Sequence, residues 1–195
     1  TARDLLQPLL ARRNGNPSVQ VSAIGHSHMD LAWLWPIRET RRKIARTMAT
    51  VMANMKLYHS YHFGASQAQL FQWLKEDHPA LYDQVKQRIN DGRFEPQGAM
   101  WVEADTNLTG GEALVRQILY GLRFFKQEFG VDIHYLWLPD VFGYSASLPQ
   151  ILKLAGINFF MTQKLSWNQV NHFPHQSFHW KGLDGTSILA HMLPE

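Results

Sequence analysis

Segments patterned like β-strands alternate along this chain with segments patterned like α-helices, and this alternation constrains the fold more than any other feature. Short apolar runs with a period of two predict strands, whereas longer amphipathic runs that end at glycine predict helices. Strands that alternate with helices favour a mainly parallel sheet with helices packed outside it. The predicted fold class is therefore α/β.

The bounds of the predicted elements follow from these periods and from turn residues. Helices are predicted over residues 1–13, 36–54, 67–76, 79–90, 111–129 and 148–155. Strands are predicted over residues 19–25, 58–63, 94–101, 133–138, 158–162, 177–181 and 186–192. Gly182-Leu183-Asp184-Gly185 indicates a hairpin between the last two strands, and residues 164–174 lack a period and are predicted to form a loop.

The sequence predicts that the chain has a short N-terminal portion and a much longer globular portion. Asn14-Gly15-Asn16-Pro17 is a stop signal for the first helix. The chain therefore divides into a helical tail or linker over residues 1–16 and a globular portion over residues 17–195. With 45% hydrophobic and 18% charged residues, the composition is typical of a globular chain and not of a disordered one.

Composition also excludes several kinds of site and partner. A net charge of +3 is too balanced to favour nucleic acid as a partner. No apolar run of about 18 residues is present, so we expect no membrane-spanning helix. The chain has no cysteine, which excludes disulfides and thiolate metal ligands.

The motif His26-Ser27-His28-Met29-Asp30 follows the first predicted strand directly. Side chains two residues apart on an extended backbone point the same way, so two imidazoles and a carboxylate can converge just past the strand. Parallel α/β sheets bind their ligands at this end of the strands. Imidazole and carboxylate together suit a divalent cation such as zinc. The alternative is a set of hydrogen-bonded core residues.

Two more predicted strands end in carboxylates. Asp140 follows the fourth strand and is fixed between a proline and a nearby glycine, although it could also cap the next turn. Glu103, Asp105 and Asn107 follow the third strand with a period of two. They are candidates for binding substrate hydroxyls, Asp105 among them, or for a second shell around a metal. A polar loop in which Asn107 or Thr109 caps the long helix is an equal alternative.

Aromatic residues accompany the carboxylates at all three strand ends. They are Trp33, Trp35, Trp101, Trp137, Phe142 and Tyr144. Rings beside carboxylates suit a sugar-binding pocket, because the apolar face of a pyranose stacks on a ring while its hydroxyls bind acids or metal. Some of these rings are alternatively core residues, and for Trp137, inside a strand, the core is the better interpretation.

Three stretches of the chain resemble the retaining α-mannosidases of glycoside hydrolase family 38. They are His26-Ser27-His28-Met29-Asp30-Leu31-Ala32-Trp33, Trp101-Val102-Glu103-Ala104-Asp105 and Leu138-Pro139-Asp140-Val141-Phe142-Gly143-Tyr144-Ser145. The stretch Trp33-Leu34-Trp35-Pro36-Ile37-Arg38-Glu39-Thr40 resembles the cytosolic branch of that family. The resemblance implies a distorted, seven-stranded (β/α) barrel-like catalytic domain, of which this chain would be the N-terminal part.

The resemblance also implies roles for individual residues. It implies one zinc ion held by His28, Asp30 and Asp140, with Asp140 as the catalytic nucleophile. It implies that Trp33 and Phe142 flank the sugar. His26 is left as a residue of the second shell.

The implied activity is that of a zinc-assisted retaining exo-α-mannosidase, which removes terminal α-linked mannose from oligosaccharides or small mannosides in the cytoplasm through a covalent mannosyl-aspartate. A carbohydrate is the expected partner, with neither nucleic acid nor a membrane, and oligomerisation of the full-length protein stays open. In this family the acid/base and a fourth metal ligand, a histidine, come from sequence beyond Glu195. We therefore expect the 195 residues alone to be inactive or nearly so.

Two other functions compete with this one. The first is a metal-dependent hydrolase such as a sugar deacetylase, in which Asp140 would serve as a base for metal-activated water. The second is a non-catalytic glycan-binding module. Cobalt or manganese would also suit imidazole and carboxylate ligands, so the ligand types do not fix the identity of the metal.

Overall fold

A computed structural model describes residues 1–12, 15 and 18–193. Six α-helices lie within these residues: α1 (Ala2–Leu10), α2 (Ile37–Leu57), α3 (Ala68–Asp77), α4 (Pro79–Asn90), α5 (Gly111–Phe129) and α6 (Leu148–Leu154). Seven strands accompany them: β1 (Gly25–His26), β2 (Phe63–Ala65), β3 (Phe94–Pro96), β4 (Tyr135–Trp137), β5 (Phe159–Thr162), β6 (Ser177–Lys181) and β7 (Ser187–Met192). None of the described helices is long and apolar enough to cross a membrane.

The strands form two sheets that are mainly parallel. One sheet has the order β1-β2-β3 with both pairings parallel, and the other has the order β4-β5-β7-β6, in which only the β6-β7 hairpin is antiparallel. The two sheets are neighbours, because the hydroxyl of Tyr135 on β4 donates to the carboxylate of Glu95 on β3 over 2.6 Å. The predicted α/β class and hairpin are confirmed, whereas closure into a barrel-like sheet stays a prediction.

An aromatic cluster joins the helices to the first sheet. The buried ring of Phe71 on α3 meets Phe94 of β3 edge-on, with 6.0 Å between ring centroids. It meets Phe125 and Phe129 of α5 at 5.9 and 5.4 Å. Edge-to-face pairs of this kind add to the free energy gained by burying the rings. The cluster therefore sets the position of α3 and α5 over the strands whose ends carry the polar residues.

The first two predicted strands differ most from the observed ones. The strand predicted over residues 19–25 is reduced to β1, because Val19 and Val21 are 69% and 83% exposed and nothing buries the alternating face. The strand predicted over residues 58–63 begins only at Phe63 and runs to Ala65. The backbone before β2 is held by a side chain and not by strand pairing. The Arg93 guanidinium donates to the carbonyls of residues 55, 58 and 61.

Helix α3 begins differently from the prediction. It begins at Ala68 rather than at residue 67, and Ser66, a residue type that often caps helices, donates its hydroxyl to the carboxylate of Glu103 instead. Gln67 precedes the helix with a φ of +69°. Strand β3 ends at Pro96, shorter than predicted, because Gly98 and Ala99 turn the chain with φ of +74° and +35°.

The remaining predicted elements agree more closely with the structure. Helices α4 and α5 have the predicted bounds, and α2 and α6 differ from theirs by a few residues. A 3₁₀ helix over Lys164–Trp167 opens the segment predicted to be a loop. The stop signal at Asn14-Gly15-Asn16-Pro17, except for Gly15, lies outside the described residues, as do the boundary between residues 16 and 17 and the end of the chain at Pro194-Glu195.

Replacing Phe71 by alanine tests the aromatic cluster. Phe71→Ala should lower the free energy of unfolding by about 3–5 kcal/mol, because it leaves a cavity among three other rings. Phe159→Ala is the control, since its ring is 50% exposed, and it should cost about 1 kcal/mol or less. Urea denaturation followed by circular dichroism measures both values. Equal losses in the two variants would show that the cluster does not anchor α3.

Candidate active site

The segment that follows β1 directs its polar side chains to one side. Nε2 of His28 lies 3.3 Å from Oδ1 of Asp30. The side chain of Met29, between them, points into the core and is only 1% exposed. The alternation predicted from the sequence therefore continues past the short strand, and it sends one imidazole and one carboxylate towards solvent.

Asp140 approaches the same point from the other sheet. It follows β4, and its Oδ2 lies 3.5 Å from Nε2 of His28. One donor atom from each of His28, Asp30 and Asp140 lies within 4.8 Å of the other two. The structure thus brings together the three residues that the sequence analysis assigned to a metal.

These three side chains fit a divalent cation. They supply one imidazole nitrogen and two carboxylates, the ligand types that zinc takes from proteins. Each side chain is partly exposed, at 27% for His28 and 36% for each aspartate, so the donor atoms can be reached from solvent. The two carboxylates carry two negative charges, of which the Lys164 ammonium pairs with the one on Asp140, and the charge that remains would attract a divalent cation.

The second nitrogen of His28 faces a different acid. Nδ1 lies 2.7 Å from Oε2 of Glu103, whose side chain is only 5% exposed. Burial acts to lower the pKa of His28, but the carboxylates of Glu103 and Asp30 outweigh it and raise that pKa above its ordinary value. With the proton on Nδ1, next to Glu103, Nε2 would present its lone pair to a metal from its position 3.3 Å from Asp30. This geometry favours the alternative in which Glu103 supports the metal-binding histidine instead of binding substrate hydroxyls.

His26 is held by an aromatic partner. Its Nε2 accepts a hydrogen bond from the indole N–H of Trp137 over 3.0 Å, and the two rings meet edge-on. Burial lowers the pKa of His26 below its ordinary value. Trp137 is buried, which confirms that it belongs to the core. The second-shell role of His26 stays a prediction.

Only some of the aromatic residues at the strand ends are open to a ligand. Trp33 and Phe142 are 57% and 67% exposed, with 6.3 Å between ring centroids. Trp35 donates to Thr40, and Trp101 donates to the side chain of Gln69, so both have structural partners. The exposed pair Trp33 and Phe142 therefore forms an aromatic rim beside the acidic cluster.

The loop that follows β3 braces the loop that carries Asp140. The buried hydroxyl of Thr106 donates to the carbonyl of Gly143 over 3.0 Å and accepts from the backbone N–H of Ser145 over 2.8 Å. Asp105 accepts from the backbone N–H of Asn107, so its carboxylate closes a turn in this structure. Helix α5 has Gly110 as its N-cap without a side-chain hydrogen bond, and so the capping role considered for Asn107 or Thr109 is wrong.

Lys164 is a member of the site that the sequence analysis missed. Its ammonium group contacts the carboxylate of Asp140. The same group lies 5.0 Å from the ring centroid of Phe142 and 4.1 Å from that of Trp167. A lysine in a segment without periodicity gives no local signal of such a contact, and only the packing of the segment against the end of β4 reveals it.

Comparison with known proteins agrees with the resemblance. The family model described as "Glycosyl hydrolases family 38 N-terminal domain" matches residues 18–195. "Alpha-mannosidase G" of Dictyostelium discoideum is 48% identical over 94% of the chain, and "Alpha-mannosidase" of Saccharomyces cerevisiae is 50% identical over 89%. The crystal structure of an alpha-mannosidase from Enterococcus faecalis covers 87% of the chain with a TM-score of 0.76 at 21% identity, and so it shares the fold.

The chain is short beside these proteins. It spans 17% of the length of the Dictyostelium protein, 16% of the yeast protein and 19% of the Enterococcus chain.

The two hydrogen bonds of the Thr106 hydroxyl can be tested by replacing threonine with valine, which has the same shape. Thr106→Val removes the hydroxyl and leaves the partly buried carbonyl of Gly143 and N–H of Ser145 without their partner, which should lower the free energy of unfolding by about 1–2 kcal/mol. Thr50→Val is the matched control, because the Thr50 hydroxyl donates to the carbonyl of Arg46 on an exposed helix face, and it should change stability by at most about 0.5 kcal/mol. If denaturation curves gave both variants wild-type stability, the Thr106 hydrogen bonds would not stabilise the loop that carries Asp140.

Proposed function

The chain belongs to glycoside hydrolase family 38, and from this premise we propose that it supplies the nucleophile and metal-binding part of a retaining exo-α-mannosidase. The observation that carries the proposal is the convergence of His28, Asp30 and Asp140 from the ends of β1 and β4. Proteins named alpha-mannosidases are about 50% identical to the chain over most of its length. The proposed substrates are oligosaccharides or small mannosides with a terminal α-linked mannose.

The proposed metal is zinc, held by His28, Asp30 and Asp140. When bound, it supplies a Lewis acid that binds sugar hydroxyls. Glu103 keeps the Nδ1 proton of His28 in place, so that the lone pair on Nε2 faces the two aspartates. The exposed rings of Trp33 and Phe142 offer apolar faces on which the pyranose can stack.

In the proposed mechanism Asp140 is the nucleophile. An oxygen of its carboxylate forms a bond to the anomeric carbon while the glycosidic bond breaks, and the leaving oxygen receives a proton from a second carboxylic acid. Water then opens the mannosyl-aspartate, and the two displacements give net retention. Lys164 contacts the Asp140 carboxylate and balances part of its negative charge.

The second carboxylic acid has to lie about 5–5.5 Å from the nucleophile in a retaining enzyme. The family resemblance assigns this acid/base, and a further metal-binding histidine, to sequence outside these 195 residues. We therefore propose that the 195 residues alone are inactive or nearly so. The stretch from Trp33 to Thr40 supports a cytoplasmic location, because it resembles the cytosolic branch of the family.

Asp140→Ala in the full-length protein tests the nucleophile. Hydrolysis of an aryl α-mannoside should fall by about a thousandfold or more, because no other group forms the covalent intermediate. Azide should restore turnover of the variant and give β-mannosyl azide, since a small anion can enter the space left by the carboxylate. Asp132→Ala removes an exposed carboxylate that pairs with Lys126 and should keep wild-type activity. Full activity of Asp140→Ala would contradict the proposal.

Lys164→Met tests how the lysine acts on the metal centre. Because an ammonium group and a metal cation both pair with Asp140, removing the ammonium should tighten zinc binding by about fivefold. Competition with a chromophoric chelator measures the affinity, and Lys153→Met, whose lysine bonds Asn158 away from the site, should leave it unchanged. Weaker zinc binding by Lys164→Met would instead show that the lysine holds Asp140 in place for the metal.

A further inference from the structure

Gln67 combines three features that a turn residue before a helix does not need. It is only 3% exposed, its backbone φ is +69°, and its side chain makes two hydrogen bonds to distant parts of the chain. A positive φ is costly for a residue with a side chain, and such residues persist where the surrounding structure holds them. Within the described residues Ala99 is the one other non-glycine with a positive φ.

The two hydrogen bonds of Gln67 reach both sides of His28. Its Nε2 donates to the carbonyl of Met29 over 2.8 Å, and Met29 lies between His28 and Asp30 in sequence. Its Oε1 accepts from the backbone N–H of Glu103 over 3.1 Å. One amide therefore joins the backbone of the metal-binding segment to the residue whose carboxylate contacts the imidazole.

The neighbours of Gln67 complete this connection. Ser66 donates its hydroxyl to Oε1 of Glu103, so two consecutive residues hold the backbone and the carboxylate of the same glutamate. The carbonyl of Ala65 accepts from Gln97 over 2.8 Å, and the N–H of Gln69 donates to the carbonyl of Trp101 over 3.0 Å. The segment 65–69 is thus fixed on both sides of Gln67, which explains how its backbone conformation is maintained.

We propose that Gln67 is a positioning residue for the metal centre. By fixing the separation between Met29 and Glu103, its amide keeps the Glu103 carboxylate against Nδ1 of His28 and so directs Nε2 towards Asp30 and Asp140. The proposal rests on the metal-binding function proposed above. If Gln67 served only the turn, replacing it would change the stability of the protein and not the zinc affinity of the folded protein. In the proposed role, replacing Gln67 lowers the zinc affinity of the folded protein.

Gln67→Gly separates these two roles. The substitution removes both hydrogen bonds, and relief of the positive φ offsets only part of their loss, so the urea midpoint should fall and zinc affinity is measured without urea, where the variant is folded. Zinc affinity should fall by about tenfold, the lower end of the range for partners that orient a metal-binding histidine. Gln67→Met keeps the length of the side chain without its polar atoms and should show the same loss of affinity, which covers the case that the glycine variant does not fold.

Gln117→Met is the matched control. Oε1 of Gln117 accepts from the N–H of Val102 over 2.9 Å, next to the bond that Gln67 makes to Glu103, but its side chain does not reach Met29. This variant should bind zinc within about twofold of the wild type. An equal loss of zinc affinity in the Gln67 and Gln117 variants would overturn the proposal, because any hydrogen bond to the loop would then have the same effect.

The tautomer of His28 gives a readout that does not need the metal. Long-range ¹⁵N–¹H NMR of the metal-free chain at high pH should place the proton of the neutral ring on Nδ1, and Gln67→Gly should produce a mixture of tautomers. An unchanged tautomer in Gln67→Gly would overturn the proposal. Absence of zinc binding by the wild type would refute the proposed metal site, whereas the NMR result would still decide whether Gln67 positions His28.

Discussion

The buried carboxylate of Glu103 is the interaction on which the candidate site depends. A carboxylate that is only 5% exposed is costly to bury unless charged and hydrogen-bonding groups surround it. His28 supplies one such group and the Ser66 hydroxyl another, while Gln67 holds the backbone of the same residue. Loops that follow β1, β2 and β3 are therefore fixed to one another at a single side chain.

The same loop after β3 extends this arrangement to the second sheet. Thr106 binds both the carbonyl of Gly143 and the N–H of Ser145, which fixes the turn that contains Asp140. Nothing in the hydrogen-bonded strand order joins β1 directly to β4. His28 and Asp140 nevertheless come within 3.5 Å of each other, because the Trp137 indole on β4 donates to His26 on β1 and the loop after β3 contacts both strand ends.

Local sequence patterns predicted the parts of this protein that depend on local interactions. The bounds of α5 follow from its apolar stripe and from Gly130, and the polar groups at the strand ends follow from a period of two. The same reasoning failed at Val19 and Val21, where alternation occurs without a partner to bury it. It also gave no indication of Lys164 or Gln67, whose roles come from contacts with residues 24 or more positions away. The catalytic and metal-binding roles themselves stay predictions.

The most direct measurement is covalent trapping of the nucleophile in the full-length protein. A 5-fluoromannosyl fluoride forms a glycosyl-enzyme that hydrolyses slowly in a retaining enzyme, and peptide mass spectrometry then identifies the labelled residue. The account predicts a single label on Asp140, which is lost when His28 is replaced by alanine. A label on another residue, or an active enzyme that takes up no label while cleaving substrate, would contradict it and favour metal-activated water with Asp140 as a base.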